Sequence, residues 1–460
     1  MNPRTHTARS AHPTLTGSVQ ASSPEASSDS ANRPLIRRGN AWKALLLASL
    51  IPLTAAAPAL GPAVANPAPD PNKAGLIEKK LVPDLLGTMQ KLRIPGAIVS
   101  VTMAKWGTTT TALGTDNLGT GQRIDAADHV RVGDITRTFT GTVILQLADA
   151  HRLGLDEPVA RLVPGVPNGR NITVRQLLHM TSGLFDYAED QGLNQTLTQH
   201  PETQFAPKDL LAVAFKHQPY FAPGKAFHSS ATDAVLLGMI AERVTHQSLQ
   251  TLFQQRIFAP LGMKDTRIDS STAIPAPAAR GYQHVSNAAA LTAPVLTGKD
   301  AAWADYSAGK PADVTTANAS WTWAAGAATS TVADLNRWVP ALATGKLLSA
   351  KMHKEQLKFT ATSAPTSTTG ASMSATSTAA APAVPTTPTT PTAMTYGLAL
   401  ADYAGLLGHE GRIRGYSSFI GYDPVKQATV VVLANSDRSP DGTTPASELT
   451  KRVLADVFGG

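Results

Sequence analysis

Two charged residues, Asp134 and Arg137, stand at the head of an apolar-patterned stretch and are the first candidates for chemistry. A carboxylate is a competent nucleophile toward an alkyl or glycosyl carbon. Toward an amide it is weak, and the mixed anhydride it would form lies above an ester in energy, so attack runs uphill. Arg137 cannot supply a base, because a guanidinium stays protonated in proteins. The physical reading of the pair is structural. Asp134 is expected to cap a helix at its positive end, with Arg137 one turn on as its partner. A buried unpaired charge is costly, so the two should compensate each other. Elsewhere the chemistry narrows. The chain has no cysteine, which removes thiol nucleophiles, thiolate metal sites and disulfides. Its histidines are scattered, with no His-x-x-x-His, and no paired-carboxylate or metal-ligand spacing stands out. No metal or other cofactor is expected.

The elements that must position these residues follow from spacing. Gly133 supplies a tight turn, and Phe139, Val143, Ile144 and Leu147 recur at helical intervals, predicting an amphipathic helix from Asp134 to about Ala150 with one face in a core. Upstream, Lys73–Leu92 reads as a helix, Ala97–Met103 as a strand and Thr108–Leu113 as its hairpin partner. Downstream, a helix is expected at Val174–His179, and residues 185–275 read as mostly helical, strongest at Ala234–Val244 and Leu249–Phe258. Residues 276–325 read as loop, and Thr331–Leu342 as a helix with Asp334 near its start. Strands follow at Tyr396–Leu400, Tyr416–Tyr422 and Ala428–Ala434, then a final helix at Ala446–Phe458. Strands at both ends with helices between predict an α+β fold: an antiparallel sheet from the N- and C-terminal parts, flanked by helices, with an inserted, mainly helical lobe and a cleft between them.

The chain has 460 residues and a net charge of +7. Residues 1–65 carry six Lys/Arg and two acids, so most of the excess lies there, and 66–460 hold no dense basic run. That argues against nucleic-acid binding. Residues 1–65 read as an export signal with an extended N-region. Arg37, Arg38 and Lys43 precede the apolar run Ala44–Ile51, and Ala63-Val64-Ala65 makes a small-residue cleavage site before Asn66. Pro52, Pro58 and Pro62 interrupt the apolar run, so no stable membrane span is expected after cleavage, and the protein is expected to be periplasmic or extracellular. Residues 66–72 read as a linker and 73–460 as one domain. Within it, 360–394 contain no charged or aromatic residue and are dominated by Thr, Ala, Ser and Pro, the composition of a disordered insert.

Several local sequences occur in a telling order. They are Arg131-Val-Gly-Asp-Ile-Thr-Arg-Thr-Phe-Thr140, Leu155-Asp-Glu-Pro-Val159, Ile172-Thr-Val-Arg-Gln-Leu-Leu-His179, Thr181-Ser-Gly-Leu184, Phe221-Ala-Pro-Gly224, Leu237-Gly238, Gly326-Ala327 with Ser330-Thr331, and His409-Glu-Gly411 with Gly415-Tyr-Ser-Ser418. Together they resemble the penicillin-binding family: serine β-lactamases of the class C type, D-alanyl-D-alanine carboxypeptidases and related esterases. The resemblance covers roughly residues 75–458 outside the insert and implies the β-lactamase/DD-peptidase fold. It implies a Ser-x-x-Lys motif where this chain has Asp134 and Arg137, and a Tyr-x-Asn motif where it has Ser229, Ser230 and Ala231. The third motif, His-x-Gly, is kept at His409-Glu410-Gly411, which the resemblance places on a strand lining the cleft. Ser229 is too weak an acid to replace the tyrosine as base, and Ala231 offers no amide. The resemblance with these losses implies an exported protein that does not acylate and that binds a cell-wall peptide or other small ligand. Asp134, Arg137, Ser229, Ser230, His409, Glu410 and Arg412, with Arg414 beside them, are the candidate contacts. The alternative is a carboxypeptidase- or esterase-like hydrolase with displaced residues: Ser229 or Ser230 as nucleophile with His409 as base, or Asp134 acting on an alkyl or glycosyl centre.

Overall fold

The first and last long apolar strands of the chain lie side by side. The computed structural model describes residues 71–268, 271–284, 311–362 and 394–459. The export segment and most of the insert lie outside the described residues. Pro71 and Asn72, expected to be linker, already belong to the first helix, Pro71–Leu92. In chain order the strands are β1 (Gly96–Met103), β2 (Gly107–Asn117), β3 (Gln122–Arg123), β4 (Val130–Arg131), β5 (Arg267–Ile268), β6 (Tyr282–Gln283), β7 (Ala312–Asp313) and β8 (Ala328–Ser330). They continue with β9 (Thr360–Ala361), β10 (Thr395–Tyr396), β11 (Ala401–Tyr403), β12 (Leu406–Ile413), β13 (Tyr416–Asp423) and β14 (Ala428–Ala434).

The main antiparallel sheet has nine strands in the order β3-β2-β1-β14-β13-β12-β11-β10-β9. β1 pairs with β14 in the register Ala97 to Ala434 through Met103 to Ala428, so the two ends of the domain close the sheet. β14 is buried at every position, which is why it reads as a near-continuous apolar run instead of an alternating one. Its side chains divide by parity. Val430 and Val432 join Val99, Val101 and Phe419 under the first helix and the last helix, Pro445–Phe458. Val431 and Leu433 face the other way with Ile98 and Ile420, into the core shared with the helical lobe.

The central helix, Thr136–Asp149, departs from the amphipathic expectation. Every residue except Gln146 and Asp149 is buried. A helix so buried must satisfy its polar groups internally, and three of its four threonines do so, while Thr142 Oγ1 is buried without a partner. Thr138 Oγ1 donates to the Ile135 carbonyl (2.7 Å) and accepts from Trp338 Nε1 (2.9 Å), and Thr140 Oγ1 donates to the Ala324 carbonyl (2.7 Å). Phe139 meets Phe258 edge-on at 5.2 Å and Trp338 at 4.8 Å. The helix packs against Ala231–Thr245, the longest helix of the inserted lobe and the strongest periodic segment of the sequence. Strand β12, which carries the His-x-Gly motif, lies inside the sheet between β11 and β13. β9 pairs with β10 through Thr395–Ala361, so the chain leaves for the insert and returns from it at one edge of the main sheet.

Candidate functional site

The site begins where a turn touches a strand. Residues Gly133–Ile135 form a short 3-10 turn ahead of the central helix. Gly133 has φ +53°, and a Cβ there would lie 2.6 Å from the Arg412 backbone. Across the contact, a Cβ on Gly411 would lie 2.1 Å from the Val132 carbonyl. These two glycines let the turn and β12 press together, and Ser418 Oγ fastens them by donating to the Val132 carbonyl (2.8 Å). The approach brings the Arg412 N–H to Asp134 Oδ2 at 3.3 Å.

Asp134 is therefore not the helix cap expected from its position. No side-chain capping bond is made at the turn or at the helix start. Its carboxylate turns instead to Arg137, with Oδ1 2.8 Å from Nη2, and to the Arg412 amide. The expected pairing of Asp134 with Arg137 is present. Arg137 is buried while Asp134 keeps 29% of its side chain exposed. Arg137 Nη1 donates to Ser229 Oγ at 2.6 Å, and Nε is buried without an acceptor. Burial works against the Arg137 charge, but Asp134, Tyr396 and Asp186 together outweigh it and raise its pKa.

Ser229 is exposed and Ser230 is buried. Ser230 caps the Ala231–Thr245 helix by accepting from the Asp233 N–H, a structural role. Ala231 contributes its backbone, donating N–H to Asp186 Oδ1 at 3.2 Å. Asp186 also accepts from the Ala188 N–H (3.0 Å), and Thr232 Oγ1 donates to the Phe185 carbonyl, locking this segment onto the helix start. Burial raises the Asp186 pKa to about 6, against the pull of Arg137 and the two amides. Ser182 donates to Asp233 Oδ1 at 2.5 Å within the same buried layer.

His409 is buried on β12. Its Nδ1 lies against the Glu410 carbonyl, an acceptor only, so Nδ1 carries the proton. Nε2 is then the acceptor, and it takes the Tyr396 hydroxyl proton at 2.9 Å. Burial lowers the His409 pKa to about 4, which keeps the ring neutral at physiological pH. Both ring nitrogens are engaged, so His409 is not a free base for Ser229 or Ser230, the arrangement the displaced-hydrolase alternative requires.

Glu410 and Arg412 do not join this face as candidate contacts. Strand alternation turns both the other way. Glu410 lies toward the last helix, where burial raises its pKa and Ser447 and Lys451 draw it back. The Arg412 side chain is exposed on that same face and its charge lowers the pKa of Asp437, which burial has pushed up to about 6. What Arg412 gives the site is its amide. Arg414 is buried in a separate network, donating to Gln283 Oε1 (2.8 Å) and to the Leu197 carbonyl.

Sequence reasoning missed Asp186, Tyr187 and Tyr396, all buried and electrostatically coupled to Arg137. Asp186 sits just past the Thr181–Leu184 motif, and Tyr396 reads in the sequence only as the first residue of a strand, which in the structure is Thr395–Tyr396. Among the described residues, no group of His, Asp and Glu is placed to hold a metal ion, and no helix is long and apolar enough to cross a membrane.

This arrangement has known counterparts. The Beta-lactamase family profile matches residues 84–454. The "Protein flp" of Staphylococcus aureus is 32% identical over 187 residues, which is 39% of this chain and 36% of that protein. Penicillin-binding protein 4* of Bacillus subtilis is 31% identical over 137 residues, 30% of each chain. The matches thus span about a third of these relatives' lengths. Among solved structures, a D-stereospecific amidohydrolase from Streptomyces sp. is 29% identical with a TM-score of 0.63, covering 82% of this chain and 100% of that one. A D-amino acid amidase from Ochrobactrum anthropi shares the fold at 23% identity, with a TM-score of 0.65 over 84% of this chain. With β1 and β14 paired inside its antiparallel sheet and a profile match over residues 84–454, the chain belongs to the beta-lactamase family.

Proposed function

We propose that this chain is an exported, non-acylating member of its family whose cleft binds a peptide-like ligand. The observation that carries the reading is the position of the Asp134 carboxylate. An acyl group on residue 134 would need a backbone donor for its developing oxyanion. The donor within reach is the Arg412 amide, and the Asp134 carboxylate already occupies it. The residue at the nucleophile position thus lacks a hydroxyl and also fills the place that would stabilise the transition state. Arg137 is committed to Asp134 and Ser229, and stays protonated. Loss of a nucleophile alone costs on the order of 10⁶ in kcat in a serine protease.

The ligand class rests on the relatives, which are named for penicillin binding and for D-stereospecific amide hydrolysis, and on the polar groups gathered at Ser229, Asp134 and Arg137. Export rests on the sequence of residues 37–65. Fluorescent penicillin should leave no covalent label on the chain after denaturation. Cell-wall stem peptides should raise its melting temperature reversibly, and the mature protein should begin at Asn66. Rapid covalent labelling would contradict the reading of the site, and stem peptides without effect would contradict the ligand class.

A further inference from the structure

The surroundings of Asp134 are unbalanced in donors and acceptors. Arg137 brings Nη1, Nη2 and an Nε that has no acceptor, all in a side chain only 7% exposed. The Arg412 amide adds a fourth donor nitrogen from a different element. Ser229 accepts from Arg137 through its oxygen, which leaves its own O–H to donate. Against these donors stand the Ser229 oxygen and the two oxygens of one carboxylate. One takes a guanidinium N–H at 2.8 Å and the other the backbone N–H at 3.3 Å, a two-point grip suited to a planar carboxylate. Asp186 is the nearby buried acid, and two backbone amides already occupy its Oδ1.

We propose that the Arg137 guanidinium and the Arg412 amide form a carboxylate-binding cradle, and that Asp134 is its resident occupant. The chain supplies in cis the anion that a peptide's C-terminus would otherwise bring. A second carboxylate would meet the Asp134 charge with no donor pair left for it. The site therefore favours amidated or otherwise uncharged peptide ends over free C-terminal carboxylates. This last step rests on the peptide-binding reading above, whereas the cradle does not.

The test empties the cradle in the full-length chain with Asp134→Ala and, separately, Asp134→Ser. Each is melted in sodium acetate and in sodium chloride at equal ionic strength. Acetate at about 100 mM should raise the melting temperature of both variants by about 2 °C or more over chloride. It should do nothing to the wild-type chain or to Asp134→Ala/Arg137→Met. A variant that folds only in acetate supports the cradle equally. Variants that respond alike to acetate and chloride, or that fail to fold in either, overturn it. A second arm compares N-acetyl-D-alanyl-D-alanine with its C-terminal amide on the wild-type chain. Tighter binding of the amide by at least about tenfold supports the selectivity, and equal binding or a preference for the acid overturns it. An acetate response without binding of either peptide would leave the cradle standing and remove the peptide ligand.

Discussion

Asp134→Ala and Arg137→Ala should not cost the same, although they break one ion pair. Asp134→Ala strands a buried guanidinium, whereas Arg137→Ala leaves a carboxylate with 29% of its side chain in water. Breaking a buried pair by stranding a charge costs about 3 kcal/mol or more, so Asp134→Ala is the more damaging in chemical denaturation. The neutral His409 makes a second prediction. Its folded pKa of about 4 lies below the unfolded value near 6.5, so its contribution is full above pH 6.5 and is lost as pH falls toward 4. Asp186 acts in the opposite sense. Its folded pKa of about 6 lies above the unfolded value, so the stability linked to it is present below about pH 4 and lost as pH rises through 6. His409→Gln should therefore gain stability relative to the wild-type chain on going from pH 7 to pH 4.5, by on the order of 2–3 kcal/mol. A difference that does not change with pH would contradict the buried neutral imidazole. At this scale the sequence was only half legible. The spacing of Asp134 and Arg137 foretold their pairing, because residues three apart on a helical turn face each other. It did not foretell the Arg412 amide, which arrives from 278 residues away and turns a would-be cap into a ligand of β12.

At the scale of elements, the contact between the Gly133 turn and β12 holds the site together. Gly133→Ala meets both a positive φ and the Arg412 backbone at 2.6 Å. It should cost about 2 kcal/mol or more and loosen the site before it unfolds the sheet. Denaturation will show the loss, and faster amide exchange at Arg412 than at Val431 will locate it. In the central helix, Thr138→Val removes the acceptor of the buried Trp338 Nε1 and should cost about 1–3 kcal/mol despite conserved volume. The strands of the sheet core were legible from their apolar runs. β12 was legible as a strand only through the family resemblance, since its two glycines, histidine, glutamate and arginine break the apolar pattern. His409, Gly411 and the Arg412 amide make it the strand that lines the site. The central helix was legible as a helix but not as one buried all round, because its threonines look solvent-facing until their carbonyl partners are known.

Across the described domain, its first and last long strands share one sheet, while the chain leaves for the insert and returns at the β9–β10 pair. Replacing residues 363–392 by a short Gly/Ser link should preserve the fold. It should change stability by no more than about 1–2 kcal/mol, the loop-closure term for shortening such a segment, as unfolding in denaturant will show. The fold was readable in the order of local sequences, which carry packing and turn geometry. The site was not, because its chemistry depends on which donors converge on one carboxylate. We propose that the chain keeps the family's scaffold and has lost its acyl-transfer step. Intact-mass measurement of the chain after prolonged exposure to benzylpenicillin and to an activated ester tests this directly. The account predicts an unchanged mass with both reagents. A stoichiometric acyl adduct mapping to residue 134, Ser229 or Ser230 would contradict it.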